Sequence, residues 1–282
     1  MPLTSSREML LSARKDGYAI AAFNIENMEM AIAVIEAAEE AHAPVIIQTT
    51  PSTIRYASLD LYYANVAAIA TKAKVPVVLH LDHADNFELI EEAVRSGYTS
   101  VMIDGSRLSY DLNTELTRRT VTMANLRGVP VEAELGVLGG KEDDVESSAN
   151  ACTDPVEAGL FAANTGISSL AVSIGTAHGV YTSVPNLDIE RLVEIKMRVD
   201  IPLVLHGASG LSDDDVAVCI EEGICKVNYA TELRVAYSDG VKEVLSKNPH
   251  VYDPKVYGLV AREKVKQVCV SKMKLCGCAG RI

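Results

Sequence analysis

Short apolar runs alternate with longer amphipathic ones along the chain. YAIAAFN (18–24), PVIIQTT (44–50), VPVVLHL (75–81) and SVMID (100–104) are rich in β-branched residues and too short for helices, so each is predicted as a strand. VPVEAEL (129–135), SLAVSIG (169–175), IPLVLHG (201–207) and ICKVN (224–228) bring the series to eight. Helical periodicity fills the gaps. NMEMAIAVIEAAEEAH places Met30, Ala33, Val34, Ala37 and Ala38 on one stripe, with Glu36, Glu39 and Glu40 turned away. NFELIEEAVRSG and DLNTELTRRTVTMANLRG each end in a glycine suited to a helix C-cap. In LSDDDVAVCIEEG, Ser212 is the expected N-cap, followed by acids that complement the helix dipole.

Eight strand–helix units in order, with near-continuous apolar strands, predict an α/β fold: a closed parallel (β/α)8 TIM barrel. The barrel is expected to occupy residues 1–282 as a single catalytic domain, with a C-terminal helical tail from about residue 253. An open doubly wound sheet is the alternative, and no dinucleotide fingerprint after the first strand favours it. GVLGGKEDDVESSANACTD (136–154) combines glycine, charge and small polar groups, and reads as a mobile active-site loop.

The composition of the 282 residues, 48% hydrophobic and 23% charged, suits one large domain. No apolar run approaches a bilayer span, and the first residues lack the apolar core of a signal peptide, so a soluble cytoplasmic protein without membrane partners is expected. A net charge of −12 argues against nucleic acid. It leaves room for a phosphorylated small molecule, because backbone N–H groups and a metal can hold an anion on an acidic protein. None of the six cysteines forms a CxxC pair, and reduced thiols are expected.

In a (β/α)8 barrel the chemistry gathers at the C-terminal ends of the strands. Six of the eight predicted strands end in, or just before, chemically able groups: Asp82 with His83, Asp104, Glu134, His178, His206 and Asn228. Three imidazoles with an open fourth position make a catalytic zinc site, and His83, His178 and His206 are the candidates. His42 and His250 fall in helix-end or loop contexts. His80 shares a strand face with Asp82, one layer deeper, and is expected to support the site from inside. Asp104 and Glu134 form a candidate second metal position or support for the ligands. AHGV (177–180) and HGASG (206–210) supply glycine turns, and NYATE (228–232) opens the last barrel helix. Loops after strands seven and eight, feeding helix N-termini, are the usual barrel phosphate site, with Ser209 and Thr231 as hydroxyl donors. Lys226 faces the way Asn228 does. It either forms a Schiff base with a ketone or pairs with an acid such as Glu132 or Glu134.

HLDHA, SVMIDGS, VEAELGVLGGKEDDV, IGTAHGVY, PLVLHGASGL and KVNYATEL occur in an order and spacing, over essentially the whole chain, that resemble the class II, zinc-dependent ketose-bisphosphate aldolases. GTAHG, NYATEL and the ending CGCAGR look most like the tagatose-1,6-bisphosphate aldolase branch; fructose-1,6-bisphosphate aldolases are close relatives. Two positions differ: Ala84 follows His83 where the tagatose branch commonly carries another histidine, and Ala230 stands where many fructose enzymes have aspartate.

The resemblance implies that His83, His178 and His206 bind the catalytic Zn2+. It implies that Asp82 is the acid/base on the aldehyde half and that Glu142, in the loop, handles the proton on the dihydroxyacetone phosphate half. Gly179, Gly207, Ala208, Ser209, Asn228, Tyr229, Ala230 and Thr231 would hold that phosphate, with a monovalent cation (Na+ or K+). Asp104 and Glu134 match a second metal position in some relatives. The implied reaction is reversible cleavage of a ketose 1,6-bisphosphate to dihydroxyacetone phosphate and glyceraldehyde 3-phosphate through a zinc-stabilised enediolate. A homo-oligomer (dimer or tetramer) and an accessory subunit are implied partners. Arg281 and Arg55 are candidates for the second phosphate. Outside this class, the competing reading is a non-catalytic phosphosugar-binding barrel or partner subunit.

Overall fold

The computed structural model describes residues 3–142, 145–147, 151–179 and 185–282, with backbone alone at 140–142 and 145–147. Its strands, in chain order, are β1 (Ile20–Asn24), β2 (Val45–Thr49), β3 (Val77–Ala84), β4 (Ser100–Ile103), β5 (Val131–Leu135), β6 (Gly139–Glu142), β7 (Val145–Ser147), β8 (Ser169–Val172), β9 (Ala177–His178), β10 (Leu203–Leu205) and β11 (Ile224–Tyr229). Strands β1, β2, β3, β4, β5, β8, β10 and β11 close into a barrel in that order, with parallel pairing throughout. The eight sequence-predicted strands are these eight, so the (β/α)8 barrel is the fold. A closed barrel has no edge, which rules out the open doubly wound sheet. No helix among the described residues is long and apolar enough to cross a membrane.

Strand register decides what faces inward, because residues paired across neighbouring strands point to the same side. Gln48 pairs with His80, His80 with Ser100, Met102 with Glu132, and Glu132 with Ser169. The inward set is therefore largely polar. The alternate residues, among them Phe23, Ile47, Leu79, Val101 and Leu170, are buried outside the wall in the main core. Each fully buried Leu, Ile or Phe there contributes roughly 1.5–3 kcal/mol.

The helices follow their local signals. Met28–Ala41 buries the expected stripe of Met30, Ala33, Val34, Ala37 and Ala38, and Asn27 caps it by accepting from Met30 N. Gly97 ends Phe87–Ser96 in the left-handed region at φ 105°, and Ser212 caps Asp213–Glu221. Tyr110–Asn125 ends earlier than the glycine pattern predicts: Leu126 is its C-cap, and Gly128, at φ 67°, turns the chain two residues later. The last helix, Pro254–Leu275, packs against Met28–Ala41 and Thr231–Lys247. It carries the chain end to the N-terminal face of the barrel, where Arg281 N donates to His42 O and its guanidinium stacks over Tyr18. Arg281 is thus at the face opposite the strand ends that carry the histidines, which removes it as a candidate for this chain's own second phosphate. Arg55 is exposed on the short helix Pro51–Ala57, after β2.

The described residues of 136–154, a span expected as a loop, contain more order than their composition suggests. β6 and β7 pair antiparallel, and β6 runs parallel to β9 with Gly139 opposite Ala177 and Gly140 opposite His178. The base is pinned to the barrel. Val137 and Ala151 exchange backbone hydrogen bonds at 2.8 and 2.9 Å, Thr153 Oγ1 donates to Leu135 O, and Ser173 N donates to Thr153 Oγ1 at 2.8 Å.

Candidate active site and metal centre

β3 delivers two site residues at adjacent positions. Alternation alone would send Asp82 inward and His83 outward. Instead His83 adopts φ 49°, and the pairing with β4 shifts register between Leu81 and Ala84. A left-handed backbone costs a non-glycine residue about 1–2 kcal/mol. Here it brings both side chains to the mouth of the barrel, the kind of place where such strain is retained.

His178 comes from β9, just beyond β8, and His206 follows β10. Ring centroids of His83 and His206 are 4.6 Å apart, of His83 and His178 5.1 Å, and of His178 and His206 6.1 Å. One nitrogen of each lies within 4.8 Å of the other two. Only glycine fits beside this cluster at position 207: at φ 68°, an added Cβ would meet Ala177 O at 2.5 Å.

The hydrogen bonding around these rings suits a metal. His83 Nδ1 lies 2.9 Å from Asp104 Oδ2, and His206 Nε2 lies 3.0 Å from Glu132 Oε1. A carboxylate on one imidazole nitrogen takes its N–H and leaves the lone pair on the other, the usual arrangement behind a metal-ligating histidine. For His206 the second nitrogen, Nδ1, is buried, makes no hydrogen bond among the described residues and sits 3.3 Å from Glu134 Oε2. Burial and the neighbouring imidazoles hold His178 and His206 well below the usual histidine range, so both are neutral, the state that ligates a metal. Burial by itself would raise Asp104, but the hydrogen bond and charge of His83, with donation from Ser106 N, hold its carboxyl well below the usual range. Imidazole nitrogens from three histidines, two of the rings backed by a carboxylate, match the donor chemistry of zinc. Glu134 Oε2 is also 3.8 Å from His83 Nδ1, and His83, Asp104 and Glu134 form a second group of suitable donors.

Asp82 is fully buried beside this cluster. Its Oδ2 accepts from Asn24 Nδ2 at 2.9 Å and from Gln48 Nε2 at 3.1 Å, and its Oδ1 accepts from Asn228 Nδ2 at 3.2 Å. Gln48 Nε2 also donates to Asn24 Oδ1 at 2.9 Å, which ties the amides together. Asn24 and Gln48 were missed by the sequence reading. They lie near the C-terminal ends of β1 and β2, the two strands not credited with site residues, and that position was their signal. His80 lies one layer down as expected, its Nδ1 2.7 Å from Ser100 Oγ and its Nε2 3.8 Å from Asp82 Oδ1.

Lys226 resolves to one of its two readings. Its Nζ donates to Glu132 Oε1 and Oε2, both at 3.0 Å, and the pair is almost completely buried. Glu132 thereby serves Lys226 and His206 together and also accepts from Ser169 Oγ at 3.3 Å.

A cavity next to His178 is lined by Gly179, Gly207, Ser209, Asn228, Ala230 and Thr231, six of the predicted phosphate-site residues. Two others lie elsewhere. Ala208 is buried in the main core. Tyr229 alternates with inward Asn228, so its ring packs outside the wall on Phe23, with the hydroxyl 3.6 Å from Cys276 Sγ. Only the backbone of Tyr229 is left to contribute to a ligand site. The helix Thr231–Lys247 starts at this cavity without a side-chain N-cap, whereas each of the other ten described helices has one. Uncapped N–H groups at the positive end of a helix dipole are an anion-binding device. The backbone of Glu142 closes β6, while its side chain and Val180, in the predicted AHGV turn, lie outside the described residues.

The family model described as fructose-bisphosphate aldolase class-II matches residues 4–281. Among solved structures, the YdjI aldolase from Escherichia coli K12 is similar with a TM-score of 0.89 and 39% sequence identity, over 99% of each chain. Fructose-bisphosphate aldolase (Fba) from Campylobacter jejuni is similar with a TM-score of 0.87 and 25% identity, over 100% of this chain and 97% of that one.

Proposed function

The chain belongs to the class-II fructose-bisphosphate aldolase family and is an aldolase, a carbon–carbon lyase; from that premise we propose that it reversibly cleaves a ketose 1,6-bisphosphate to dihydroxyacetone phosphate and glyceraldehyde 3-phosphate. Tagatose 1,6-bisphosphate is the favoured substrate, on the GTAHG, NYATEL and CGCAGR segments, with fructose 1,6-bisphosphate as the alternative. The observation that carries the reading is the convergence of His83, His178 and His206 beside a buried Asp82 braced by three amides.

His83, His178 and His206 would hold the catalytic zinc, with Asp104 and Glu134 as the second metal position. When bound, zinc supplies a Lewis acid for the negative charge that develops as the C3–C4 bond breaks. Asp82 takes the C4 hydroxyl proton in cleavage and returns it in synthesis. Asn24, Gln48 and Asn228 fix the direction of its carboxylate, so little reorganisation is needed when the proton moves. Glu142 handles the proton on the dihydroxyacetone phosphate half, and closure of 136–154 on its pinned base would exclude water. The phosphate sits at the uncapped helix start against Gly179, Gly207, Ser209, Asn228 and Thr231, with backbone help from Ala208, Tyr229 and Ala230 and a monovalent cation (Na+ or K+) nearby. Anchoring there sets the reacting carbons against Asp82. The protein is expected to be cytoplasmic and to work as a homo-oligomer (dimer or tetramer), with an accessory subunit as a further partner.

The test is kcat/KM for the two sugar bisphosphates in parallel, with zinc-loaded protein and enzymatic detection of dihydroxyacetone phosphate. Faster cleavage of the tagatose epimer supports the reading. Preference for fructose reverses the substrate order, and cleavage of neither rejects the substrate class.

A further inference from the structure

The barrel interior below Asp82 is polar, where such interiors are usually filled by branched apolar side chains. Gln48, His80 and Ser100 sit side by side in the strand ladder, each paired to the next. All three are buried, as is Ser6 at the start of the helix Ser6–Asp16. That helix lies under the N-terminal mouth of the barrel. It packs against β1 and β11, and Thr4 N, just before it, donates to Val77 O at 2.8 Å, where β3 begins. Ser6 Oγ lies 2.9 Å from Ser100 Oγ, and Ser100 Oγ lies 2.7 Å from His80 Nδ1. His80 Nε2 then faces Asp82 Oδ1 at 3.8 Å. One line of polar atoms thus runs from the bottom of the barrel to the carboxylate at its mouth.

The protons on this line can be placed. Burial and the nearby ammonium of Lys226 hold His80 well below the usual histidine range, so the ring is neutral and carries one proton. With that proton on Nδ1, Nε2 would turn a lone pair toward a carboxylate. With it on Nε2, an N–H faces Oδ1 and Nδ1 accepts from Ser100 Oγ. Ser100 then accepts from Ser6, and every proton on the line points toward Asp82. Two further observations aim this N–H at Oδ1. His80 Nε2 is buried without a hydrogen-bond partner among the described residues, a costly state for a donor. Asp82 is also unevenly held: Oδ2 accepts from Asn24 and Gln48 at 2.9 and 3.1 Å, whereas Oδ1 has Asn228 at 3.2 Å.

We propose that Ser6, Ser100 and His80 form a directional hydrogen-bond line whose last N–H steadies Asp82 Oδ1 from beneath, which makes Ser100 and His80 positioning residues for proton transfer at Asp82. The inference rests on the reading of Asp82 as the acid/base and adds the groups that set its less firmly held oxygen. At 3.8 Å the N–H leaves an Oδ1 lone pair open to a substrate hydroxyl, while its dipole favours charge on that oxygen. Catalytic hydrogen bonds are often long before substrate binds and tighten in the complex. Ser100 decides the tautomer, because its hydroxyl is the donor that keeps Nδ1 an acceptor.

The experiment combines two readouts on the zinc-loaded full chain. With nitrogen-isotope-labelled histidine, the ring chemical shifts of His80, assigned by their disappearance in His80→Gln, report which nitrogen carries the proton. The proton is expected on Nε2 in the wild type and on both nitrogens, as a mixture of tautomers, in Ser100→Ala. In turnover, His80→Leu should lower kcat about tenfold with KM and zinc content unchanged, and Ser100→Ala should lower it by a smaller factor. His80→Gln, whose amide N–H reaches the place of Nε2, should recover part of the loss. In an Asp82→Ala background, His80→Leu should lower kcat no further, because its effect passes through the carboxylate. A proton on Nδ1 in the wild type, or a His80→Leu loss of equal size with and without Asp82, overturns the proposal while leaving the acid/base reading standing. Ser100→Ala keeps the ring and its packing, so an unaltered tautomer and kcat in that variant overturn it too, even where His80→Leu does not fold. Near-normal turnover in Asp82→Ala overturns the acid/base reading, and this inference with it.

Discussion

Lys226 Nζ lies 3.0 Å from both carboxylate oxygens of Glu132, in the buried interior of the barrel. Both oxygens hold Nζ on the carboxylate, and a Schiff base needs an amine free to reach a ketone carbon. Borohydride in the presence of substrate should therefore leave Lys226 unlabelled. Removing one partner of a buried pair strands the other charge, so Lys226→Met is expected to destabilise the fold by about 3–5 kcal/mol. Equilibrium denaturant unfolding measures this. A variant as stable as the wild type would show that Glu132 does not depend on Lys226.

Asp82 accepts hydrogen bonds from three side-chain amides, which fix its carboxylate independently of the imidazole cluster. Asp82→Ala should leave zinc content unchanged and lower kcat on the order of a hundredfold to ten-thousandfold, the range of a lost acid/base. Gln48→Leu removes one donor and keeps the carboxylate, so a smaller loss of about tenfold is expected. Metal analysis beside a coupled cleavage assay separates the two effects. Near-normal turnover in zinc-loaded Asp82→Ala would assign the proton transfer to another group.

The barrel and most of its rim were legible because the strands are short, apolar and regularly spaced, and because strand ends collect polar groups. What was not legible came from backbone and register. Nothing in HLDHA marks His83 for φ 49°, yet that one conformation puts Asp82 and His83 at the same mouth. Strand parity would have turned Tyr229 away from the ligand, since Asn228 faces in and Phe23 pairs beside Tyr229. The polar Gly139–Glu142 segment has no strand pattern. It is a strand because its backbone pairs with Ala177–His178, a contact that exists only once the barrel has formed.

The cysteines offer a check on burial that is independent of chemistry at the site. All six are free thiols, and Cys152 is the only exposed one. Burial pushes the Cys219 thiol up to about 12 and those of Cys225 and Cys278 up to about 11, and it raises Cys269 and Cys276 further. Only the thiolate reacts, so at pH 8 a disulfide reagent should titrate one thiol quickly in the native protein and six after denaturation. Loss of the fast phase in Cys152→Ser confirms its identity, and a second fast thiol would mean that a buried region opens readily.

Asp104 is the most direct handle on the proposed zinc site that leaves all three imidazoles in place. Its Oδ2 holds His83 Nδ1 at 2.9 Å, and its Oδ1 accepts from Ser106 N at 3.0 Å, so the carboxylate is oriented before any metal arrives. Asp104→Asn keeps the shape but offers a weaker acceptor, and the amide can present its NH2 to the ring instead. His83 would then lose its tautomer preference and part of its basicity. Zinc affinity should fall about tenfold to a hundredfold, as for other partners behind a ligating histidine. Competition against a chelator of known affinity measures this without reference to turnover. Chelation of the wild type should abolish cleavage, and zinc or cobalt should restore it, with Asp104→Asn recovering only at a higher free metal concentration. Equal metal affinity in the two proteins would mean that His83 is held by its strained backbone alone, with Asp104 free to act as a ligand at the second position.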